Sequence, residues 1–481
     1  MSLDAKRIDP PVEDAVSNFL KWVLLLVAIG CFALLAWATF ETYRTVAPQP
    51  VRLVSASGQV LMTGDDITAG KGGFQKADLM DYGSLYGMGS YYGEDYTASI
   101  LVRLANATQS NIAADQYDRS LTALTEEQRT TVAATMRKAL QGIDLTRPDV
   151  VLPDSVAKAL QAVRDEVAAT LHIADPQTGW TPAYSLTPEL AVKTADFLIY
   201  SSLTTVARRP GTTWSWTENW PYEPLVGNVP TTNTFRWTWI SFCFTFLAFG
   251  FVLFIYEYFL NHPDDAPMDP LLSGFRPLTD SQKRIGKYFL VVAALLLVQI
   301  AAGTIMAHSY YDRTGFYGIA INDYLPFNFL RDVHIQAPIV WIGLSWIGAA
   351  LFLAPAIAGG KEARGQRHWV DLLFWVTLFI VAGALAGDYL GIMGVIDQGW
   401  FWFGNQGLSY IQLGRFWQIG FFVGLALWSL LVMRALWPSS SLWRAATRQF
   451  WTGRIRLEHL IWASTINIAV LYVFGMIPLT G

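Results

Sequence analysis

A handful of ionisable side chains stand inside or at the rims of long apolar runs, where charge is expensive and usually serves a cofactor, a pathway or a partner. His334 opens one such run in Leu330-Arg-Asp-Val-His-Ile-Gln-Ala-Pro. Its imidazole can supply an axial bond to a heme iron facing a helix bundle, or it can sit at the interface hydrogen-bonded to a carbonyl. His308 closes another run, with Asp312 four residues later, and the two share one face if the helix persists through Tyr310 and Tyr311. A histidine beside a carboxylate suits a hydroquinone, which must shed protons as it gives up electrons. A surface salt bridge at a helix end accounts for the same pair. Asp388, in Ala-Gly-Asp-Tyr-Leu-Gly, falls toward the outer third of its run, where it can line a polar path, orient a cofactor group or simply be hydrated. Arg415 can pair with heme propionates or snorkel. Glu458 and His459 read as snorkelling residues at a helix start, with Asn467 further in.

The elements that must position these groups are membrane helices. Of 481 residues 53% are hydrophobic and 15% charged, and tryptophans gather at the ends of apolar runs, as interfacial anchors do. The near-neutral net charge gives no field for nucleic acid. Seven stretches, 18–42, 236–259, 286–308, 333–357, 370–393, 411–436 and 457–478, are long enough to cross ~30 Å of hydrocarbon. The first is too long in its apolar core for a cleaved signal and reads as an anchor. Basic residues alternate between the connections. Lys6, Arg7, Arg276, Lys283, Arg284, Lys361, Arg364, Arg367, Arg434, Arg444, Arg448, Arg454 and Arg456 mark the cytoplasmic side, and only Arg313 and Arg331 occur opposite. The N-terminal segment 1–17 is then cytoplasmic, and residues ~44–235 form a folded domain on the periplasmic side of a bacterial inner membrane.

Within that domain Thr125-Glu126-Glu127-Gln128 and Asp154-Ser155 read as helix starts. The Gly70–Gly73 and Gly83–Gly93 tracts read as tight turns lying against other structure. Cys31 and Cys243 both lie in apolar runs, which argues against a disulfide framework or thiolate metal site, and without a C-x-x-C-H motif any heme must be held by coordination alone.

Four segments carry a family resemblance: Gly83-Ser-Leu-Tyr-Gly-Met-Gly-Ser-Tyr-Tyr-Gly-Glu-Asp-Tyr-Thr-Ala, Trp216-Thr-Glu-Asn-Trp-Pro-Tyr-Glu-Pro, His334-Ile-Gln, and Gly404 to Gln418. In these the chain resembles quinol-dependent nitric oxide reductases of the heme-copper oxidase superfamily. The resemblance implies an all-α polytopic membrane protein, with seven transmembrane helices of a heme-copper-oxidase-like bundle here and an inserted periplasmic cytochrome c-like domain, 43–235, that lacks heme. The anchor 18–42 precedes that domain and the bundle 236–481 follows it. It further implies reduction of nitric oxide to nitrous oxide with electrons from quinol, in a membrane protein that can pair as a homodimer. His334 then matches an axial ligand of low-spin heme b, and His308 a quinol-site histidine. Asp312 stands where the family usually has glutamate. Gly89 and Tyr91 match residues that help bind calcium, although Leu408-Ser409 replace the family's Trp-Glu, whose glutamate is a calcium ligand. Ligands of the high-spin heme b3 and the non-heme iron would lie beyond Gly481, so no catalytic residue is assigned within the chain. Asp312 and Ser409 keep a nitric oxide dismutase in view, and a non-catalytic scaffold or accessory subunit is the alternative of another class.

Overall fold

A computed structural model describes residues 18–175, 177–180, 186–260, 277–408, 412–442, 444–445, 448 and 457–476. The chain begins with helix α1 (Asn18–Thr45) and enters the inserted domain through strands β1 (Arg52–Ser55) and β2 (Val60–Thr63). There follow α2 (Gly64–Lys76), α3 (Leu79–Tyr82), the hairpin β3 (Ser84–Leu85) and β4 (Met88–Gly89), α4 (Tyr96–Tyr117), α5 (Glu126–Gln141), β5 (Asp149–Leu152), α6 (Asp154–His172) and α7 (Pro188–Val206). The strands form a small sheet in the order β2-β1-β5, antiparallel on one side of β1 and parallel on the other. Helices dominate the domain, and Leu53, Ile100, Leu101, Leu104, Leu160 and Leu198 are fully buried in its core.

Local chemistry sets these helix starts. Thr63 and Thr125 each close a capping box, with Asp66 and Gln128 respectively, and Thr187 caps α7 ahead of Pro188. The start expected at Asp154-Ser155 is present, but Pro153 is the cap residue and no side chain caps the helix. Asp154 therefore lies in the first turn, where its charge favours the positive end of the helix dipole. The Gly70–Gly73 tract is likewise not a turn. It lies inside α2, where a Cβ on Gly70 would fall 1.9 Å from the Lys193 carbonyl oxygen and one on Gly73 would fall 2.1 Å from Thr194 Oγ1. The missing side chains let α2 and α7 meet backbone to backbone. The Gly83–Gly93 tract does turn, with Gly87 and Gly89 at positive φ in the β3–β4 hairpin.

Past the domain come α8 (Thr232–Leu260), α9 (Asp280–Arg284), α10 (Gly286–Ser309), α11 (Phe327–Ile357), α12 (Gln366–Ile392), the short α13 (Trp400–Phe403), α14 (Arg415–Leu436) and α15 (Leu457–Met476). All seven apolar stretches are helical. Among the described residues four helical stretches, Asp280–Ser309, Phe327–Ile357, Gln366–Ile392 and Arg415–Leu436, are long and apolar enough to cross a membrane. Their outward faces are apolar, with Leu290, Leu297, Trp346, Trp375 and Phe379 exposed, as lipid rather than water requires. The inner core joins Tyr288, Leu351, Leu373, Trp428 and Val432 from α10, α11, α12 and α14. The chain is a multi-pass helical membrane protein.

Gly70→Ala should lower the melting temperature of the detergent-purified protein by overpacking the α2–α7 contact, at a cost of ~1–3 kcal/mol. Gly286→Ala, whose added methyl meets nothing within 4 Å, serves as the control. Equal melting shifts in the two variants would remove the close-packing explanation.

Candidate functional site

The inserted domain is locked onto one end of the bundle through buried polar groups. The connection between α10 and α11 and the start of α11 carry two arginines that both turn to the domain. Arg313 donates to the carbonyls of Thr178 (2.7 Å) and Tyr92 (3.0 Å) and stacks its guanidinium 4.5 Å from the Tyr92 ring centroid. Arg331, on the first turns of α11, forms a buried ion pair with Asp81 of α3. Asn328 Nδ2 donates to the Asp78 carbonyl at 2.9 Å, and Lys76 pairs with Asp397 beyond α12. Tyr92 itself stacks on Phe327 with ring centroids 3.8 Å apart and planes 6° from parallel.

Four carboxyl groups meet at this seam, and all are essentially inaccessible: Asp78 0%, Asp81 0%, Asp332 1% and Asp388 0% exposed. Asp78 neighbours Asp81, Asp332 and Asn405, while Asp332 of α11 and Asp388 of α12 face each other. Arg331 compensates one of them. The other oxygens, both of Asp78, Asp332 and Asp388 and Oδ2 of Asp81, have no hydrogen-bond partner. Burial pushes the Asp78 carboxyl well above the usual carboxylate range, with the neighbouring Asp81 and Asp332 charges adding to the effect. Asp388 is therefore buried rather than hydrated, the blander of the roles its place in the sequence allowed. Asp78, Asp81 and Asp332 do not stand out in the sequence reading. The available signal was the Asp78-x-x-Asp81 spacing just before the glycine tract and the Arg331-Asp332 pair just before His334.

His334 lies one turn inside α11 and its ring turns toward α10. Nδ1 stands 3.0 Å from the Gln299 carbonyl oxygen. A carbonyl only accepts, so Nδ1 carries the hydrogen and Nε2 is the basic nitrogen, the arrangement in which histidine binds a metal through Nε2. In this respect the residue fits a heme iron. An apolar cavity of about 770 Å³ opens between α11, α12, α14 and α15, bordered by Gln336, Thr377, Gln418, Phe421, Trp428 and Tyr472. His334 is on the adjacent face of α11, not in that lining.

The other sequence candidates fall as follows. Helix α10 ends at Ser309, so His308 and Asp312 do not share a continuous helical face. One further bond, Asp312 N–H to the His308 carbonyl at 3.0 Å, keeps them in a single turn. The Asp312 carboxylate accepts from the Thr314 amide (3.0 Å) and hydroxyl (2.9 Å), which hold it below the usual carboxylate range. The His308 ring stacks on Tyr317, 4.7 Å between centroids, with Phe316 edge-on at 4.9 Å. Tyr91 is exposed and donates its hydroxyl to the Gly87 carbonyl at 2.8 Å, while Gly89 packs against the carbonyls of Gly83 and Met80. Among the described residues no three of His, Cys, Asp and Glu stand together as a metal-ligand set, so the residues matched to a calcium ion do not converge on one. Arg415 Nη1 donates to Gln418 Oε1 at 2.8 Å. His459 does not snorkel: it is buried, 5.8 Å from the Trp437 ring. Ser409, the N-terminal segment and the connection after α8 lie outside the described residues.

Residues 50–222 match the family of NorB cytochrome c-like domains of nitric oxide reductase, and residues 283–480 match the family of cytochrome c and quinol oxidase polypeptide I. A curated relative, the NorB chain of nitric oxide reductase from Stutzerimonas stutzeri, is 34% identical over 119 residues. The similarity covers 24% of this chain and 23% of that relative.

Removing Arg331 leaves Asp81 buried and unpaired, so Arg331→Gln should destabilise the protein by ~3–5 kcal/mol, with part regained in the Arg331→Gln, Asp81→Asn double variant. Thermal melting with proteolysis of the inserted domain reads both effects, and additive losses would contradict the pairing. For Asp78 the sign is opposite to that of a salt-bridged acid. Its native form keeps a proton that the unfolded chain releases near pH ~3.9, so stability declines as pH rises from there through the native value. Asp78→Asn should therefore lose less stability than wild type between pH ~5 and ~8. An unchanged pH dependence of melting would count against a protonated Asp78.

Proposed function

We propose that this chain, which belongs with the nitric oxide reductases of the heme-copper oxidase superfamily, is the electron-entry part of a membrane oxidoreductase that reduces nitric oxide to nitrous oxide with electrons from quinol. The balance is simple. A hydroquinone gives two electrons and two protons as it becomes quinone, and two molecules of nitric oxide take up two electrons and two protons to give nitrous oxide and water. In this reading a low-spin heme b is held by His334 through Nε2 and supplies one-electron relay between the quinol and a heme b3 and non-heme iron centre. The observation that carries the assignment is the hydrogen bond from Nδ1 to the Gln299 carbonyl, which fixes tautomer and ring direction and leaves Nε2 as the ligating atom.

The chain's own groups prepare the quinol side. His308 lies at the end of α10 between Phe316 and Tyr317, aromatic faces suited to a flat ring, and its imidazole is placed to accept a hydroxyl proton. Asp312 is kept ionised by Thr314 and adds negative charge within the same turn, which favours the imidazolium that forms. The same observation also favours a second reading. With its carboxylate committed to Thr314, Asp312 is not aimed at His308, and a dismutase that converts nitric oxide to dinitrogen and dioxygen needs no quinol. The inserted domain, 43–235, serves in either case as a heme-free cover for this end of the bundle.

An optical spectrum of the purified, reduced protein should show a b-type band that His334→Ala abolishes while the protein stays folded. A folded, complete preparation without heme would leave only a scaffold. His308→Ala should slow heme reduction by quinol by about 10²-fold or more while sparing reduction by a small artificial donor, because only quinol needs the proton acceptor. Equal losses with both donors would favour the quinol-independent dismutase.

A further inference from the structure

We infer that Gly303 and the Gln299–Trp341 pair are positioning residues that set the direction of the His334 imidazole; the inference rests on the reading of His334 as a heme ligand. Gln299 and Gly303 are four residues apart on α10 and so occupy one face of that helix, turned to α11. The Gln299 carbonyl is the one that the Gly303 amide uses in the regular helical ladder. Its second lone pair takes His334 Nδ1–H at 3.0 Å. A ring can reach that lone pair only if nothing projects from the next turn. A Cβ on residue 303 would stand 2.5 Å from His334 Cε1 and 2.6 Å from Nδ1, inside any tolerable contact, and both atoms belong to the ring that the hydrogen bond holds in place. Glycine at 303 thus forms the notch that admits the imidazole.

The same glutamine is held from its other end. Trp341, two turns after His334 on α11, donates Nε1–H to Gln299 Oε1 at 2.8 Å. Main chain and side chain of one residue of α10 are therefore gripped by two residues of α11, seven positions apart and on one face. Two contact points fix the axial register between the helices as well as the rotation of α11, and with them the line along which Nε2 points. The arrangement explains why an uncharged glutamine and a tryptophan meet in an otherwise apolar helix contact. The side chain satisfies the indole, and the pair leaves the carbonyl aimed at the histidine.

The test uses the full chain with its heme. Gly303→Ala should shift the low-spin g-values of the oxidised heme and speed heme loss on dilution by about 10-fold or more, as outer-shell changes at metal-ligating histidines do. Trp341→Phe keeps an aromatic ring and removes the N–H, and should shift the same signals in the same direction by less. Gly343→Ala, whose added methyl meets nothing within 4 Å on another part of α11, should leave them unchanged. If His334→Ala abolishes the low-spin signal while Gly303→Ala and Trp341→Phe leave g-values and heme retention at wild-type levels, the positioning role is refuted and the ligand reading stands. If His334→Ala keeps the low-spin signal, the ligand reading itself is refuted. Should Gly303→Ala not fold, Trp341→Phe decides alone, and unchanged g-values there overturn the inference.

Discussion

A guanidinium buried among carboxyl groups, with a membrane on one side and a folded domain on the other, is the constraint from which the rest of this structure follows. Arg331 is paired to Asp81 across the seam, and neither can leave without stranding the other in a low-dielectric interior. Such a pair is a weak source of net stability and a strong source of specificity. Any sliding of the domain over the bundle separates charges that water cannot reach. Arg313, Asn328 and Lys76 add directional contacts on the same interface, so the domain has one seat and one orientation.

That seat is three residues from the proposed ligand. Arg331 and His334 occupy successive turns of α11 on nearly one face, so anchoring the first fixes the depth and rotation of the second. Below it the Gln299 carbonyl receives the imidazole, and above it the carboxyl cluster of Asp78, Asp332 and Asp388 surrounds the same turn with polar oxygen. The inserted domain therefore does more than shield the bundle end. Through α3 and the residue before it, the domain supplies two of the four acids and the partner of Arg331, and so completes the surroundings of a residue that belongs to another part of the chain.

Much of the architecture was legible in the amino-acid order because it depends on local terms. Hydropathy and length locate all seven apolar helices to within a few residues, and threonine caps with their reciprocal acids or amides mark α2 and α5. Local signals failed where a distant surface intervened. The Gly70–Gly73 tract carries the composition of a turn, yet α7 packs so closely against it that only glycine permits the helix contact. His459 has the position of a snorkelling residue, but Trp437 from another part of the chain covers it. The His308–Asp312 spacing is helical, while the chain leaves the helix at Ser309 and Thr314 claims the carboxylate.

What the order of residues determined by itself was the class of molecule, the elements, and the identity of His334 and His308 as the imidazoles worth watching, since transfer energies, capping chemistry and residue type act over a few positions. Only the tertiary structure decided which groups meet. Asp78 lies 250 residues from Asn328 and Asp81 the same distance from Arg331, Gln299 lies 35 from His334, and Lys76 lies 321 from Asp397. Pairings at such separations are set by how helices and domain pack in three dimensions. In a buried seam each charge takes its meaning from the neighbour that packing brings to it, not from its neighbours along the chain.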